Sequence, residues 1–243
     1  MALFYFKRSM RDVVGHIILI VLPVILIGFF DYIYRSSELI SGIQDPENTF
    51  ITVLTIGFTL TFQIYGGALT FETMGADFFT PMQGRLLATP MAPRRILLAI
   101  LSMGTLVSFL QTLAVMGFSM AVLGAKIRAF PVVMLVMVLS IVFHQLLGTV
   151  ILLLSGKVKT ATTAMSFYGA IAPIFIGIYF PLPDTAVFHF LRDYLTPMAL
   201  ANRAVLGAMA GEGQEVLRGM VPLATFSMLL FMWLKPLSRR IHP

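Results

Sequence analysis

Cysteine is missing from this chain of 243 residues. Its absence excludes a disulfide framework, a thiolate metal site and a cysteine nucleophile. Charge is scarce as well. Asp, Glu, Lys and Arg make up only 12% of the residues, about half of the roughly 25% that a water-facing domain uses. No polar stretch is long enough to build a soluble domain. There is no phosphate-cradling Walker A loop either. The sole Gly-Lys pair, Gly156-Lys157, has Ile151 where that loop needs its first glycine. HExxH and GxSxG motifs are also absent, which removes the zincin and nucleophile-elbow chemistries. No catalytic set and no metal-ligand set is expected on this chain.

What the chain does have is apolar length. Hydrophobic residues make up 58%, and the mean hydropathy is +0.91. Continuous apolar runs cover residues 17–34, 50–70, 96–123, 130–154, 161–180 and 217–234. A bilayer core about 30 Å thick needs about 20 such residues in a helix. Helices satisfy their own backbone groups in lipid, and a β-barrel would show short alternating segments instead. The expectation is an all-α integral membrane protein with six transmembrane helices, forming one domain over residues 1–243. No small-x-small cleavage site accompanies Phe29, Phe30, Asp31, Tyr32 and Ile33, so the first span is expected to stay in the mature protein.

Basic residues choose the orientation. Six crossings put both termini on one side. Of the 17 Lys and Arg, 11 fall on that side and 6 on the other. Of the 11 acids, Asp12, Glu72 and Asp77 fall with the termini and the other 8 fall opposite. Both termini are therefore expected in the cytoplasm, with the chain a multi-pass protein of the inner, cytoplasmic membrane. The net charge of +6 reflects this asymmetry and anionic lipid. No basic-aromatic surface suits nucleic acid, so none is expected as a partner.

Three segments are neither span nor simple loop. Residues 1–14 are amphipathic at helical period. Leu3, Phe6, Met10, Val13 and Val14 share one face, and Lys7, Arg8, Arg11 and Asp12 share the other. Such a helix lies in the membrane interface; the alternative is a flanking tail of the first span. The connection 72–95 is too polar to cross. Pro81, Pro90 and Pro93 fence a stretch, 82–89, that fits about two helical turns at the cytoplasmic face; the alternative is an ordered loop. Residues 181–219 hold two amphipathic halves around Thr196-Pro197. These form either a re-entrant hairpin dipping into the outer leaflet, lined by Phe188, Tyr194, Pro197 and Arg203, or two helices lying flat on it.

Polar residues inside spans are functional candidates. They are few and neutral: Gln63, Gln111, His144 and Gln145. The competing account of the His144-Gln145 pair is an interhelical hydrogen bond. No carboxylate lies deep in a span, and Asp31 is near an outer end. An ion-driven carrier would carry buried carboxylates or interrupted spans, so energy is expected from elsewhere.

The stretch RLLATPMAPRRILLAIL, residues 85–101, resembles the cytoplasmic signature of the type-2 ABC exporter permeases. In that family a short coupling helix reads close to R-L-L-A-T-P and runs into the third span. The stretch FPLPDTAVFHFLRDYLTPMALANRAVLGAM, residues 180–209, is similar to the family's external hairpin. The N-terminal amphipathic helix resembles its elbow helix, with Lys7, Arg8 and Arg11 on the polar face. Family members commonly carry glutamates and a Gly-Thr just before the arginine. Here the residues are Phe78, Phe79, Thr80, Pro81, Met82, Gln83 and Gly84, with acids only at Glu72 and Asp77.

The resemblance implies a half-permease with no cofactor of its own and no catalysis. Two copies, or one copy and a paralogous permease, would form the pathway in membrane lipid. Separate ABC ATPase subunits would carry ATP and Mg. Contact with them would involve Arg85, Leu86, Leu87, Thr89 and Asp77. The exported compound would be a drug, an antimicrobial peptide, a lipid or a lipid-linked glycan. Two rival readings stand beside this one: an intramembrane lipid-modifying enzyme, which needs polar groups converging at one depth, and a non-transporting scaffold.

Overall fold

A computed structural model describes residues 2–9, 12–36, 49–81, 83–84, 92–179 and 182–238, without the side chains of 2, 3, 6, 34 and 35. Among the described residues the protein is all-helical: α1 (Ala2–Ser9), α2 (Val13–Ser36), α3 (Thr49–Phe78), α4 (Pro93–Ala121), α5 (Phe130–Ser155), α6 (Val158–Phe175), α7 (Ala186–Tyr194), α8 (Pro197–Ala210) and α9 (Gly213–Ser238). Five of these, α2, α3, α4, α5 and α9, are long and apolar enough to cross a membrane, as in a multi-pass membrane protein.

The packing is organised around α3, which touches α2, α4, α5 and α6. Over its most apolar stretch α2 has a mean hydropathy of 2.8 and is 17% buried, whereas α3 has 1.4 and is 78% buried. Water would reverse that order. Hydrocarbon tails are as apolar as leucine, so an outer helix can be the more apolar one. The α9 helix is as exposed as α2, and its outward face carries Phe226, Met228, Leu229, Phe231, Met232 and Trp233.

Buried α3 is rich in threonine, and its hydroxyls are satisfied locally. Thr55, Thr59 and Thr61 donate to the carbonyls of Ile51, Thr55 and Gly57 at 2.8, 2.6 and 2.8 Å. This back-bonding lets a moderately polar helix occupy the centre of the bundle without orphaned hydroxyls.

The bundle has two distinguishable ends. At one, Asp77 of α3 meets Arg8 of α1, and a Cβ at Gly75 would strike Val158 at the start of α6. At the other, Thr52 of α3 accepts a hydrogen bond from the Lys126 backbone N–H in the α4–α5 turn at 2.9 Å. There too a Cβ at Gly57 would strike Ile178. Thus α6 and the turn after it run beside α3 from Gly75 to Gly57.

The 1–14 stretch is divided between α1, which ends at Ser9, and α2, which starts at Val13, and two boundaries differ most from the hydropathy reading. The run at 50–70 becomes a helix to Phe78, so the first part of the 72–95 connection is helical. The carboxylate of Asp77 is neutralised inside the fold, which lets the helix continue through it. The run at 161–180 becomes a helix of 18 residues ending at Phe175. There Gly177 takes the left-handed conformation, φ 76°, and its N–H turns back to Ile174 O at 3.1 Å. Glycine enters that region without steric cost.

Candidate functional site

Three polar clusters stand out, one at each end and one in the middle. At the N-terminal end, α1 is fastened to α3. Arg8 Nη1 contacts Asp77 Oδ1 at 2.5 Å, and the Tyr5 hydroxyl donates to Asp77 Oδ2 at 3.0 Å. Asp77 is 2% exposed. Burial raises the Tyr5 pKa, and the Asp77 carboxylate and the hydrogen bond to it raise it further. The phenol therefore stays a neutral donor. Asp12 then caps α2, its Oδ1 accepting the Gly15 N–H at 3.0 Å.

The helical period put Arg8 on an outward polar face and did not single out Tyr5. Instead both turn inward, because the Asp77 carboxylate lies under α1. Lys7 remains exposed, and Arg11 lies outside the described residues. Asp77, expected near a partner, is engaged within the chain. Arg85, Leu86, Leu87 and Thr89 lie outside the described residues.

The middle cluster gathers on one face of α4. Ser108, Gln111 and Thr112 have the i, i+3, i+4 spacing of a single helix face. Gln145 Nε2 of α5 donates to Ser108 Oγ at 3.2 Å. Gln63 Nε2 of α3 donates to Thr112 Oγ1 at 3.1 Å and reaches Met137 Sδ at 3.3 Å. Gln111 Nε2 lies 2.9 Å from His16 Nδ1, and His16 Nε2 lies 2.8 Å from Ser9 O. A carbonyl can only accept, so His16 Nε2 carries the proton and Nδ1 accepts from Gln111. A relay thus runs from the end of α1 into the bundle.

Gln63, Gln111, Ser108 and Thr112 border a cavity of only about 10 Å³. Gln63 Oε1 and Gln145 Oε1 are buried without a protein partner. An unsatisfied buried acceptor costs about 1–3 kcal/mol. Three of the four intramembrane candidates therefore converge on α4.

The fourth, His144, faces elsewhere. It is fully buried, with Nδ1 2.8 Å from Ser140 O and Nε2 3.3 Å from the Tyr168 hydroxyl of α6. The two rings stack, with centroids 5.7 Å apart. Tyr168 in turn accepts the Met198 N–H at 3.2 Å, joining α6 to α8. His144 and Gln145 are thus both interhelical bonds, in opposite directions.

The third cluster lies at the opposite end. Thr196 caps α8 by accepting the Ala199 N–H at 3.0 Å, with Pro197 in its first turn. The α8 helix packs on α9 and α5, while α7 buries none of its residues and leaves Phe188 half-exposed. Arg203 Nε donates to Glu215 Oε2 at 2.6 Å, and Arg218 Nη1 donates to Glu215 Oε1 at 2.6 Å. The Arg203 guanidinium lies 4.4 Å from the centre of the Tyr194 ring, within cation–π range. Arg203 Nη1 is buried without a partner. Arg203 and Glu215, with Arg192, Asp193 and Asn202, line a cavity of about 410 Å³ between α7, α8, α9 and the facing ends of α3 and α6.

Sequence reasoning singled out Arg203 and missed Glu215, its partner. The signal was available: an arginine in an otherwise apolar helix needs a carboxylate, and Glu215 follows within the next helix. Tyr5, Ser108, Thr112 and Tyr168 had no comparable signal, being ordinary residues of helical runs. Among the described residues no group of His, Asp or Glu could hold a metal ion. No family model, curated protein or solved structure matches this chain.

Proposed function

We propose that this chain is the permease subunit of an ATP-driven exporter, crossing the inner membrane six times with both termini in the cytoplasm. Two copies, or one copy and a paralogous permease, form the pathway. Separate ABC ATPase subunits, carrying ATP and Mg, dock on the 72–95 connection. The exported compound is amphipathic or hydrophobic. The observation that carries the reading is the fastening of α1 to α3 by Tyr5, Arg8 and Asp77, within the helical first part of that connection. A force applied at 82–89 meets the end of a helix buried on nearly every side, and α1 braces that end.

Counting α6 as a crossing supports the six-span topology. From Gly75 to Gly57 it accompanies 18 residues of α3, about 27 Å of helix against a core of about 30 Å. The hairpin α7–α8 then lies at the outer face, where α8 enters the leaflet under the cover of α5 and α9. An intramembrane enzyme is less well supported. Its best histidine, His144, is fully buried and holds two helices together.

Two experiments test this. A reporter active only outside the cytoplasm is expected to be active after Gly42 or Gly211 and silent after Pro243. The opposite pattern would remove the six-span topology. The purified chain alone is expected neither to bind nor to hydrolyse ATP, and to co-purify with an ATPase subunit. Arg85→Glu is expected to weaken that association. A buried interfacial charge pair broken on one side costs about 2–5 kcal/mol. Retention of the ATPase and normal transport by both Arg85→Glu and Leu86→Asp/Leu87→Asp would overturn the assignment of 82–89 as the ATPase contact, whereas failure of the wild-type chain to co-purify with any ATPase would overturn the permease reading. A scaffold would retain its partners but show no substrate-stimulated hydrolysis.

A further inference from the structure

The cavity of about 410 Å³ beside Arg203 has walls of two kinds. Val53, Ile176 and Leu206 are apolar, and Asn202, Arg203 and Glu212 are polar. The charges around it are mostly committed to one another. Glu215 is held by Arg203 and Arg218, and Arg192 by Asp193. The groups that remain uncommitted are informative. Asn202 is 8% exposed, and its side-chain amide makes no hydrogen bond among the described residues. Glu212, on the exposed turn at the rim, makes no ion pair among the described residues.

We infer that this cavity binds a zwitterionic amphiphile, with its oxyanion at Asn202 and Arg203, its ammonium at Glu212 and its apolar chain against Val53, Ile176 and Leu206. A simple anion fits less well. Among the described residues that line the cavity, Arg192 and Arg203 face Asp193, Glu212 and Glu215, so these side chains set up no net positive field to hold an anion. A polar solute without a chain leaves the apolar wall unused. The pocket belongs to the fold whatever drives the protein, but its place as an outer station of export rests on the permease reading.

The test uses the purified full-length chain in a maltoside detergent and follows its thermal midpoint, which a ligand of the folded state raises with the logarithm of its concentration over Kd. Three probes are titrated: lysophosphatidylethanolamine, lysophosphatidylglycerol and glycerophosphoethanolamine. Saturable stabilisation by the first is expected, with lysophosphatidylglycerol about tenfold weaker, the scale of one lost charged hydrogen bond, and glycerophosphoethanolamine, which keeps both charges but buries no chain, weaker by at least about tenfold. Glu212→Gln and Asn202→Ala are each expected to weaken the first probe by a similar factor. Ala210→Trp, at the cavity wall, is expected to abolish binding while leaving the unliganded midpoint unchanged. Arg203 is left intact in this series because its pairing with Glu215 also holds α8 to α9.

Equal binding of lysophosphatidylglycerol, unaffected by Glu212→Gln, would overturn the zwitterion assignment. Equal binding of glycerophosphoethanolamine would overturn the amphiphile. No saturable effect, or none that Ala210→Trp removes, would overturn the pocket. None of these outcomes involves an ATPase, so the permease reading is decided separately by co-purification.

Discussion

Gly219→Ala is expected to destabilise this protein, although alanine is the better helix former. A Cβ at position 219 would lie 2.3 Å from Leu200 O, 2.8 Å from Ala204 Cβ and 2.9 Å from Ala204 N. These are backbone and Cβ atoms of α8, and no side-chain rotation moves them away. The whole of α8 must retreat from α9. Gly207 on α8 makes a reciprocal approach, its own Cβ position lying 2.7 Å from Glu215 Cβ and 3.1 Å from Val216 N. Small residues on both helices are what permits so close a crossing. Overpacking a site of this kind costs about 1–3 kcal/mol, more than the roughly 1 kcal/mol alanine contributes to an exposed helix. With Gly219→Leu, α8 is expected to leave its seat altogether, and the Arg203–Glu215 bond to break with it.

Gly117 supplies the control. It is exposed on α4 with nothing near its Cβ position, so Gly117→Ala should be neutral or stabilising. Thermal midpoints in detergent measure the difference. The chain's lack of cysteine offers a second readout. A single Val205→Cys, buried in the native protein, should react with a thiol reagent only when Gly219 is also replaced. If Gly219→Ala and Gly117→Ala have the same midpoint, the tight α8–α9 crossing does not govern stability.

Arg8→Ala is expected to cost more than Asp77→Ala, although both break the same pair. The asymmetry follows from burial. The Asp77 side chain is 3% exposed and that of Arg8 is 33% exposed. Without Asp77, the guanidinium can turn toward water, and the main loss is the orphaned Tyr5 hydroxyl, about 1–3 kcal/mol. Without Arg8, a carboxylate stays buried with one neutral donor. An uncompensated buried charge costs about 3–5 kcal/mol. The double variant Arg8→Ala/Asp77→Ala should therefore be more stable than Arg8→Ala alone, because it removes the stranded charge. A double-mutant cycle on thermal midpoints isolates this coupling. Release of α1 would be read from a Ser9→Cys reporter, whose position lines the small cavity between α1, α3 and α4. If Arg8→Ala proves the milder substitution, the carboxylate is not held as this geometry describes.

Most of the helices could be read from hydropathy. Boundaries failed where polar residues continued a helix, as Glu72 and Asp77 do in α3, or where glycine stopped one, as Gly177 does after α6. The polar candidates were found because charged or amide side chains are rare in such runs. Their partners escaped notice because serine, threonine and tyrosine are common in them. Gln145 and His144 are adjacent in sequence yet serve different neighbours, α4 and α6. A helix turns about 100° per residue, so neighbouring positions point to different helices.

The sequence by itself determined the class of the protein, because lipid leaves so few alternatives. A backbone that meets no water must satisfy its own polar groups, and a long apolar run can do so only as a helix. Length and composition decide that locally, without reference to the rest of the chain. The tertiary structure alone decided how the helices are rotated and which side chains meet. That Arg8 turns in toward Asp77, that Gly219 admits the backbone of α8, and that Arg203 and Asn202 wall a cavity shared with α3 and α6 all depend on contacts between distant segments. In lipid the apolar faces are nearly interchangeable as solvent-facing surfaces. Rotation is therefore set by close packing and by the few hydrogen bonds that can be made, and neither is encoded in any single run of sequence.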